Sequence, residues 1–360
     1  MKMFGVGILI VAVFVFAFLH SEKFGRLPHG EELKRIEKSP NYKNGRFQNL
    51  EPTRKMTGEG GFFTVMADYF FGKHPNTKPV QKIPSVKTDL RNPDENEDFL
   101  IWFGHSSYFI QAGGVRFLID LVFSETASPV PFNVVAFDGA DIYGADDMPA
   151  VDYVIITHDH WDHLDYPTMK ALKDKAGKIV TGLGVGSHLR RWGFKDERIA
   201  ELDWFDTFSE NGVEIHCLPA RHFSGRGLSE NKTLWSSFLL KFPDFKLYAG
   251  GDSGYGKHYE AIGRRFGGID LALLDSGQYD KNWREIHETP EQVVQAAHDL
   301  KTAALFAGHN SKFTISNHPW NEPMERVSSV AEKEEIRLLT PKIGEKVFLK
   351  KSGQTFEKWW

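Results

Sequence analysis

The sequence predicts a fold of the α/β (α+β) class, in which helices cover a mixed β-sheet system. Beyond Glu97, short apolar runs alternate with turn signals, and the runs on either side of Gly113-Gly114 are typical of antiparallel strands joined by a tight turn. Helical patterns follow several of these runs, and the stretch Pro290–Leu300 carries proline in its first turn. A chain of 360 residues with 41% hydrophobic side chains can bury a large core. Paired strands followed by helices therefore indicate sheets with helical covers.

Each predicted strand is an apolar run bounded by turn residues. The run Val151–Ile156 precedes a helix for which Asp165 is a suitable amino-terminal cap. The run after Asn211-Gly212 begins at a hairpin signal, and two further runs flank Pro243-Asp244. The predicted strands are 99–103, 108–111, 115–120, 151–156, 213–218, 236–242, 246–249, 269–274 and 303–307.

The amino terminus carries a separate signal. The run Met3–Leu19 contains no charge and lies between Lys2 and a polar stretch at 20–23. Such a run is just long enough to cross a bilayer as a helix, which takes about 17 to 25 residues. A cleaved signal peptide and a buried helix are the alternatives, but the junction at residues 18–20 lacks the small residues that signal peptidase prefers. We expect residues 1–21 to form an uncleaved membrane anchor, with the catalytic domain on the extracytoplasmic (periplasmic) side, although basic residues on both flanks set the orientation poorly.

The rest of the chain divides by composition into three further parts. Residues 22–96 are rich in Lys, Glu, Pro, Asn and Gly, and are expected to form a tether and an amino-terminal extension. Within it, the aromatic stretch 60–71 is expected to pack on the core, with an acyl-binding or membrane-facing surface as the alternative. Residues 97–345 are expected to form the main domain, and residues 346–360 a carboxy-terminal tail.

Charge and cysteine content exclude several classes of protein. A net charge of -4 argues against a nucleic-acid-binding surface as the main function. The single cysteine, Cys217, excludes an internal disulfide framework and any metal site with several cysteines. Histidine is frequent, with 15 in the chain, and many lie at the ends of apolar runs. The sequence therefore favours histidine chemistry over thiol chemistry.

The run Thr157-His158-Asp159-His160-Trp161-Asp162-His163-Leu164 is the strongest motif. It follows the predicted strand that ends at Ile156, so that one loop offers three imidazoles and a carboxylate. These groups are the ligands that suit zinc and comparable divalent ions. Three other predicted strands are followed by a similar residue, namely His222, Asp252 and His309, beside small residues that allow close backbone approach. Together they predict a site with enough ligands for two metals.

This arrangement resembles the metallo-β-lactamase superfamily over roughly 99–340. The resemblance implies a four-layer αββα sandwich, preceded here by the membrane helix, with two zinc ions or other divalent metals at one sheet edge. It further implies that the first metal is held by His158, His160 and His222, the second by Asp162, His163 and His309, and that Asp252 bridges the two.

Longer segments resemble the branch of N-acylphosphatidylethanolamine-hydrolysing phospholipase D and its bacterial lactonase-like relatives. The matching segments are 102–107, 163–165, 201–204, 219–224, 234–237, 251–255 and 287–293. Two segments depart from that phospholipase, namely 275–279, where its Pro-Ile-Gly-Ala-Tyr is expected, and 309–313, where its His-Trp-Gly-Thr-Phe is expected. Metal ligation is compatible with both changes, whereas both changes leave the lipid specificity open.

The resemblance implies a hydrolase in which a hydroxide between two metals attacks a phosphodiester. Asp162 is expected to help orient the hydroxide, and His287 to donate a proton or contact the substrate. His105 is expected to support the metal ligands by hydrogen bonding. The alternatives are buried packing for His105 and a structural role at the start of a helix for His287. A lactonase or other carboxyl-ester hydrolase on the same site is the enzymatic alternative, and a membrane-associated binding protein with a vestigial site is the other.

The expected partners follow from this hypothesis. They are a phospholipid or another small-molecule ester as substrate and a membrane contacted through the amino-terminal helix, with no nucleic acid. The sequence leaves a homodimer open.

Overall fold

The computed structural model describes residues 2–360, without the side chains of residues 2–5, 8, 62 and 70. Met1 of the predicted anchor and the side chains of Phe62 and Phe70 in the aromatic stretch lie outside this described part. Ahead of the two large sheets, a short hairpin pairs β1 (Tyr42–Lys43) with β2 (Arg46–Phe47).

Two seven-stranded sheets form the centre of the fold. The first contains β3 (Phe99–Trp102), β4 (Tyr108–Ala112), β5 (Val115–Ile119), β6 (Val151–Ile156), β7 (Ala176–Gly182), β8 (Ile199–Leu202) and β16 (Lys346–Phe348). The second contains β9 (Thr207–Glu210), β10 (Val213–Leu218), β11 (Ser237–Lys241), β12 (Lys246–Ala249), β13 (Leu271–Asp275), β14 (Leu305–Gly308) and β15 (Leu338–Leu339).

The helices are distributed along the whole chain. They are α1 (Lys2–Leu19), α2 (Glu31–Ile36), α3 (Gly61–Phe71), α4 (Tyr166–Ala171), α5 (Gly186–Arg191), α6 (His258–Phe266), α7 (Pro290–Leu300) and α8 (Glu322–Lys333).

The two sheets share one pairing pattern. The first has the order β16-β3-β4-β5-β6-β7-β8, in which the pairs up to β5 are antiparallel and the pairs from β5 to β8 are parallel. The second has the order β9-β10-β11-β12-β13-β14-β15, antiparallel up to β12 and parallel beyond it. As a result β3, β5 and β6 run in one direction within the first sheet, and β10, β12 and β14 do so within the second.

Tight turns fix the register of two hairpins. Gly113 and Gly114 join β4 to β5 with φ of 57° and 76°, and Asn211 and Gly212 join β9 to β10 with φ of 53° and 75°. Positive φ at both central positions matches the twist of paired strands, and glycine and asparagine adopt it at low cost. The predicted hairpin at Gly113-Gly114 is therefore confirmed, and the turn signal Asn211-Gly212 does precede a strand, although its partner β9 was not predicted.

The sheets pack face to face, and helices cover both outer faces. Alternate residues of each strand face the shared interior, where side chains of both sheets meet, including Leu100, Ile110, Phe117, Tyr153, Ile215, Phe238, Leu247 and Phe306. On the outside of the first sheet Met169 of α4 and Leu189 of α5 are buried against it. Side chains of α6, α7 and α8 cover the second sheet in the same way. The fold is thus an αββα sandwich of mixed sheets, as the sequence predicts.

Helix α7 begins with a complete capping box. Thr289 Oγ1 accepts from the backbone N–H of Gln292 (3.4 Å), and Gln292 Oε1 accepts from the N–H of Thr289 (3.0 Å). Replacing Thr289 with alanine is expected to lower the free energy of unfolding by about 1 kcal/mol, because an orphan N–H loses its acceptor. Urea titration would measure the change. Thr289→Ser keeps the hydroxyl and should stay close to the wild type, and an equal loss in both variants would contradict the capping role.

Three expectations about the chain outside the sandwich change. Among the described residues, no helix combines the length and the apolar character that a membrane crossing requires, so the predicted transmembrane anchor is not supported. The predicted tether, 22–96, contains α2, α3 and the β1–β2 hairpin. The predicted tail, 346–360, begins with β16, which pairs with β3 through three residue pairs. The sequence patterns also missed β7, β8 and β9, and no residue of β8 or β9 is buried.

Candidate metal centre

The histidine-rich loop leaves β6 at Ile156 and ends at α4. The backbone carbonyl of His160 accepts from the N–H groups of His163 (3.2 Å) and Leu164 (2.9 Å), which folds the loop into a helical turn. Asp165 then caps α4 by accepting from the N–H of Thr168 (3.2 Å). A strand end and a capped helix thus fix both ends of the loop.

One group of four side chains converges on His160. His160 Nδ1 lies 2.9 Å from His158 Nε2 and 3.3 Å from His222 Nε2. Asp252 Oδ2 lies 3.8 Å from His158 Nε2 and 3.6 Å from His222 Nε2. The four candidate ligand atoms all lie within 4.8 Å of one another, which is a spacing that could hold one metal ion.

A second group lies on the other side of Asp252. Asp252 Oδ1 is 3.0 Å from His163 Nε2 and 3.1 Å from His309 Nδ1. Asp162 Oδ2 is 3.6 Å from His163 Nε2 and 4.0 Å from His309 Nε2. His105 completes this group, with its Nε2 2.8 Å from Asp162 Oδ2. The two oxygens of Asp252 therefore face different groups, as a bridging carboxylate would.

All seven predicted metal ligands meet at one edge of the sandwich. His222 follows β10, Asp252 follows β12 and His309 follows β14, and these three strands run in the same direction. The histidine-rich loop follows β6 in the facing sheet. Strand direction is what places residues so distant in sequence at one edge.

The donor set fits divalent cations. His163 Nε2 and Asp252 Oδ1 are buried, and although they lie 3.0 Å apart neither makes an aligned hydrogen bond among the described residues, a costly state that a metal ion would relieve. Burial, together with neighbouring histidines, holds the pKa of His158, His222 and His309 well below the usual range, so their rings are neutral. Neutral imidazole is the form that binds metal.

The carboxylates of the site are ionised. Burial raises the pKa of Asp162 and Asp252, but nearby histidines, above all His163, outweigh it and hold both values well below normal. For His163, burial is likewise outweighed by Asp252 and Asp162, which raise its pKa well above normal. The two carboxylates thus favour positive charge between them, which is what a metal ion would provide.

Hydrogen bonds from the surrounding elements orient the rings. His163 Nδ1 donates to Asp120 Oδ2 (2.8 Å), and Asp120 also accepts from the N–H (2.8 Å) and the hydroxyl (2.5 Å) of Thr157. His222 Nδ1 donates to the carbonyl of Ile286 (2.9 Å). Sequence reasoning missed Asp120 as a site residue because it closes a predicted strand. Its position at the end of β5, in the same direction as β6, is the signal that could have found it.

His287 lies at the site but outside the seven ligands. Its Nδ1 is 2.7 Å from Asp275 Oδ2, and its ring stacks on that of His309 with centroids 5.2 Å apart. Burial raises the pKa of Asp275 to about 7, against the lowering influence of His287. Asp275 is a second residue that the sequence alone did not single out. His287 is thus placed beside the candidate ligands with a carboxylate partner.

A cavity of about 370 Å³ opens onto both metal groups. Its floor includes His160, Asp162, His222, Asp252, His287 and His309. Its walls are largely apolar, with Met56, Met66, Tyr69, Phe223, Trp283, Ile286 and Ile315. Helix α3 supplies Met66 and Tyr69 and packs on Trp283 and Ile286, so the aromatic stretch lines the site as well as packing on the domain.

Comparison with known proteins identifies the family. A family model described as a beta-lactamase superfamily domain matches residues 116–310, which contain all seven predicted metal ligands. The chain belongs to the beta-lactamase superfamily. The neighbours found are consistent with a metal-dependent hydrolase of the metallo-β-lactamase type, as predicted.

Relatives within this superfamily extend beyond the matched region. An uncharacterized protein of Mycobacterium tuberculosis is 37% identical over 325 residues, or 86% of this chain and 85% of its own length. An N-acyl-phosphatidylethanolamine-hydrolyzing phospholipase D of Caenorhabditis elegans is 30% identical over 238 residues, or 61% of this chain and 64% of its own. Among solved structures, the metallo hydrolase Igni18 of Ignicoccus hospitalis shares the fold at a TM-score of 0.53 and 20% identity, covering 70% of this chain and 98% of its own.

Proposed function

We propose that this chain is a dinuclear zinc hydrolase of phospholipase D type, which cleaves a phosphodiester attached to a lipid resembling N-acylphosphatidylethanolamine. The observation that carries the proposal is the cavity in which apolar walls end at the two groups of candidate ligands. Apolar walls with a few polar groups at one end suit a ligand with a hydrocarbon part and one polar reacting group. The phospholipase relative supports the same substrate class.

The metal ions would provide the nucleophile and part of the charge stabilisation. Two zinc ions held by His158, His160, His222, Asp162, His163, His309 and Asp252 would activate water at neutral pH and neutralise charge on phosphoryl oxygens. Because every one of these side chains except His160 and Asp162 is almost fully buried, they are held in place before substrate arrives.

Two pairs of residues would orient the Asp162 carboxylate and exchange a proton with the leaving group. His105 Nε2 holds Asp162 Oδ2 at 2.8 Å and so fixes the direction of that carboxylate at the cavity floor. His287 donates from Nδ1 to Asp275 Oδ2, which leaves Nε2 as the ring nitrogen that exchanges a proton with the leaving group. The Asp275 carboxylate stabilises the protonated ring and raises the pKa of His287, although burial opposes this.

The two segments that depart from the phospholipase pattern contact each other. Gln278 Nε2 donates to the carbonyls of His309 (3.3 Å) and Phe313 (3.1 Å), and Asn310 Nδ2 donates to the carbonyl of Ser276 (3.2 Å). Gln278 also lines the cavity. The departures thus form one continuous patch beside the apolar wall, where they would change which lipid is accepted while the ligand side chain of His309 is retained.

A substrate screen of the zinc-loaded chain tests the proposal. The assay would offer N-acylphosphatidylethanolamine in mixed micelles, bis(p-nitrophenyl) phosphate, a long-chain lactone and a thioester. We expect release of phosphatidic acid and N-acylethanolamine from the lipid. Turnover of the lactone without turnover of either phosphodiester would select the carboxyl-ester hydrolase instead. No turnover with the metals bound would select the vestigial binding protein.

Replacing Met66 with asparagine is expected to raise KM for a long-chain diester about four- to fifteenfold, because lost contact with one or two methylene groups costs about 0.8 kcal/mol each. Hydrolysis of bis(p-nitrophenyl) phosphate, which has no acyl chain, should be nearly unchanged. Ala67→Asn, at an exposed neighbouring position on α3, is the matched control. Equal effects on both substrates would show that the apolar wall does not bind the chain.

A further inference from the structure

The segment Glu22–Arg26, called here the amino-terminal strap, lies directly against the domain that carries the metal ligands. The carbonyl of Glu22 accepts from the indole N–H of Trp192 (2.7 Å). The carbonyl of Lys23 accepts from Arg226 Nη2 (2.9 Å), and the backbone N–H of Arg26 donates to His188 Nδ1 (3.1 Å). Three backbone groups of the strap are thus hydrogen-bonded to side chains of the sandwich domain.

Arg226 connects the strap to both ends of the histidine-rich loop. Its Nη1 donates to the carbonyls of Asp159 (3.0 Å) and Leu164 (2.5 Å), while Nη2 reaches the strap. The side chain is only 3% exposed, and its guanidinium lies 4.0 Å from the ring centre of Trp161. A buried guanidinium with several carbonyl acceptors is costly to move, so it holds the loop in one shape.

The carboxylate of Asp159 makes the second connection. It accepts from His188 Nε2 (3.0 Å), Thr233 Oγ1 (2.8 Å) and the N–H of Gly225 (2.7 Å). Because His188 accepts from Arg26 on its other nitrogen, the strap, His188 and Asp159 form one hydrogen-bonded chain. Asp159 lies between the candidate ligands His158 and His160 in sequence. The hydrogen bonds that run from the strap through His188 to Asp159 therefore hold the backbone from which both ligands project.

Gly25 allows the strap to come this close. Its φ is +70°, and an added Cβ would lie 2.1 Å from His188 Nδ1. The next ring along the strap, Phe24, packs edge-on against Trp161 with centroids 5.0 Å apart. A larger residue at position 25 would therefore push the strap away from His188. The contact between the strap and the histidine-rich loop would then loosen.

We propose that the strap positions the histidine-rich loop, so that metal affinity depends on residues far from the ligands in sequence. Its effect passes through Arg226, His188 and Asp159, none of which belongs to the two groups of candidate ligands or lines the cavity. This inference rests on the metal centre of the proposed function. Loss of such outer support lowers metal affinity by about 10- to 100-fold in comparable sites.

The test compares two glycines in the same region. Gly25→Ala and Gly30→Ala both place a side chain at positive φ (+70° and +55°), but a Cβ at Gly30 would meet no atom within 4 Å. Both variants therefore carry similar backbone strain, and only the first disturbs His188. We expect zinc dissociation constants, measured by competition with a chromogenic chelator, to rise at least about tenfold in Gly25→Ala and to stay near wild type in Gly30→Ala.

A second pair of variants removes a side chain without backbone strain. Arg226→Gln should weaken zinc binding, whereas Arg198→Gln should not, although Arg198 also donates to two backbone carbonyls, those of Lys173 and Ala176. Thermal unfolding of the metal-free variants separates a general loss of stability from a loss of affinity.

The outcomes distinguish the two levels of the proposal. A wild-type chain that binds no zinc would overturn the proposed metal centre itself. Wild-type affinity in both Gly25→Ala and Arg226→Gln would overturn the role of the strap alone. Weakened binding in the control variants to the same extent would do so as well, because the effect would then reflect stability rather than position.

Discussion

Replacing Asp252 with alanine is expected to abolish detectable hydrolysis and to reduce the bound metal by at least half. Asp252 Oδ1 and Oδ2 face different groups of candidate ligands, so its loss affects both groups at once. Several kcal/mol of charge stabilisation depend on the metals, and a rate loss of about a thousandfold corresponds to about 4 kcal/mol. Metal analysis by mass spectrometry and initial rates on the diester would measure the two effects.

Two further variants make this result interpretable. Asp252→Asn keeps the shape of the side chain but removes its charge, and it should bind metal more weakly than wild type. Asp244→Ala removes an exposed carboxylate that is paired only with Lys350 and should change neither metal content nor rate. Full metal content and full activity in Asp252→Ala would exclude it as a bridging ligand.

Replacing Asp120 with alanine is expected to destabilise the fold by about 3 to 5 kcal/mol, as breaking a buried pair does. The change leaves His163 Nδ1 and two donors of Thr157 without their acceptor in the interior. The same change should weaken zinc binding by about 10- to 100-fold, because His163 is no longer oriented. Chemical denaturation of the metal-free protein and chelator competition would report the two effects separately.

The neighbouring carboxylate Asp152 is the control for this prediction. Asp152 is the second residue of β6, whereas Thr157, the partner of Asp120, follows the last. Asp152 is exposed and accepts a backbone hydrogen bond from Arg116 (2.8 Å). Asp152→Ala should cost at most about 1 kcal/mol and leave metal affinity unchanged. A similar cost for both variants would indicate that the contacts of Asp120 contribute no more than those of a surface carboxylate.

The sequence predicted the gathering of the seven candidate ligands for a physical reason. His222, Asp252 and His309 each follow an apolar run, and strands that run in one direction end at one edge of a sheet. The hairpin turns at Gly113-Gly114 and Asn211-Gly212 were predictable for a similar reason, since positive φ favours few residue types. In both cases the signal lies within a few residues.

The remaining features depend on contacts between distant parts of the chain. Asp120 is one carboxylate among many at strand ends, and only its contact with His163 distinguishes it. The pairing of Arg226 with Lys23 joins segments 203 positions apart, and no local pattern marks it. Strand β8 escaped prediction because its four residues are only half-buried and show no alternation. The expected membrane anchor came from the length of the uncharged run Met3–Leu19, and among residues 2–360 no helix has the length and the apolar character to cross a membrane.

The apolar wall of the cavity is built partly by the chain before the sandwich. Met56, Met66 and Tyr69 come from the amino-terminal extension, whereas the seven candidate ligands come from the edge of the two sheets. Part of the apolar wall is therefore encoded apart from the candidate ligands, although Phe223, Trp283, Ile286 and Ile315 of the sandwich domain complete it. On the proposed function, exchange of the segment 56–69 between relatives, with the strap Glu22–Arg26 retained, would change the preference among acyl chains and offers a route to engineering.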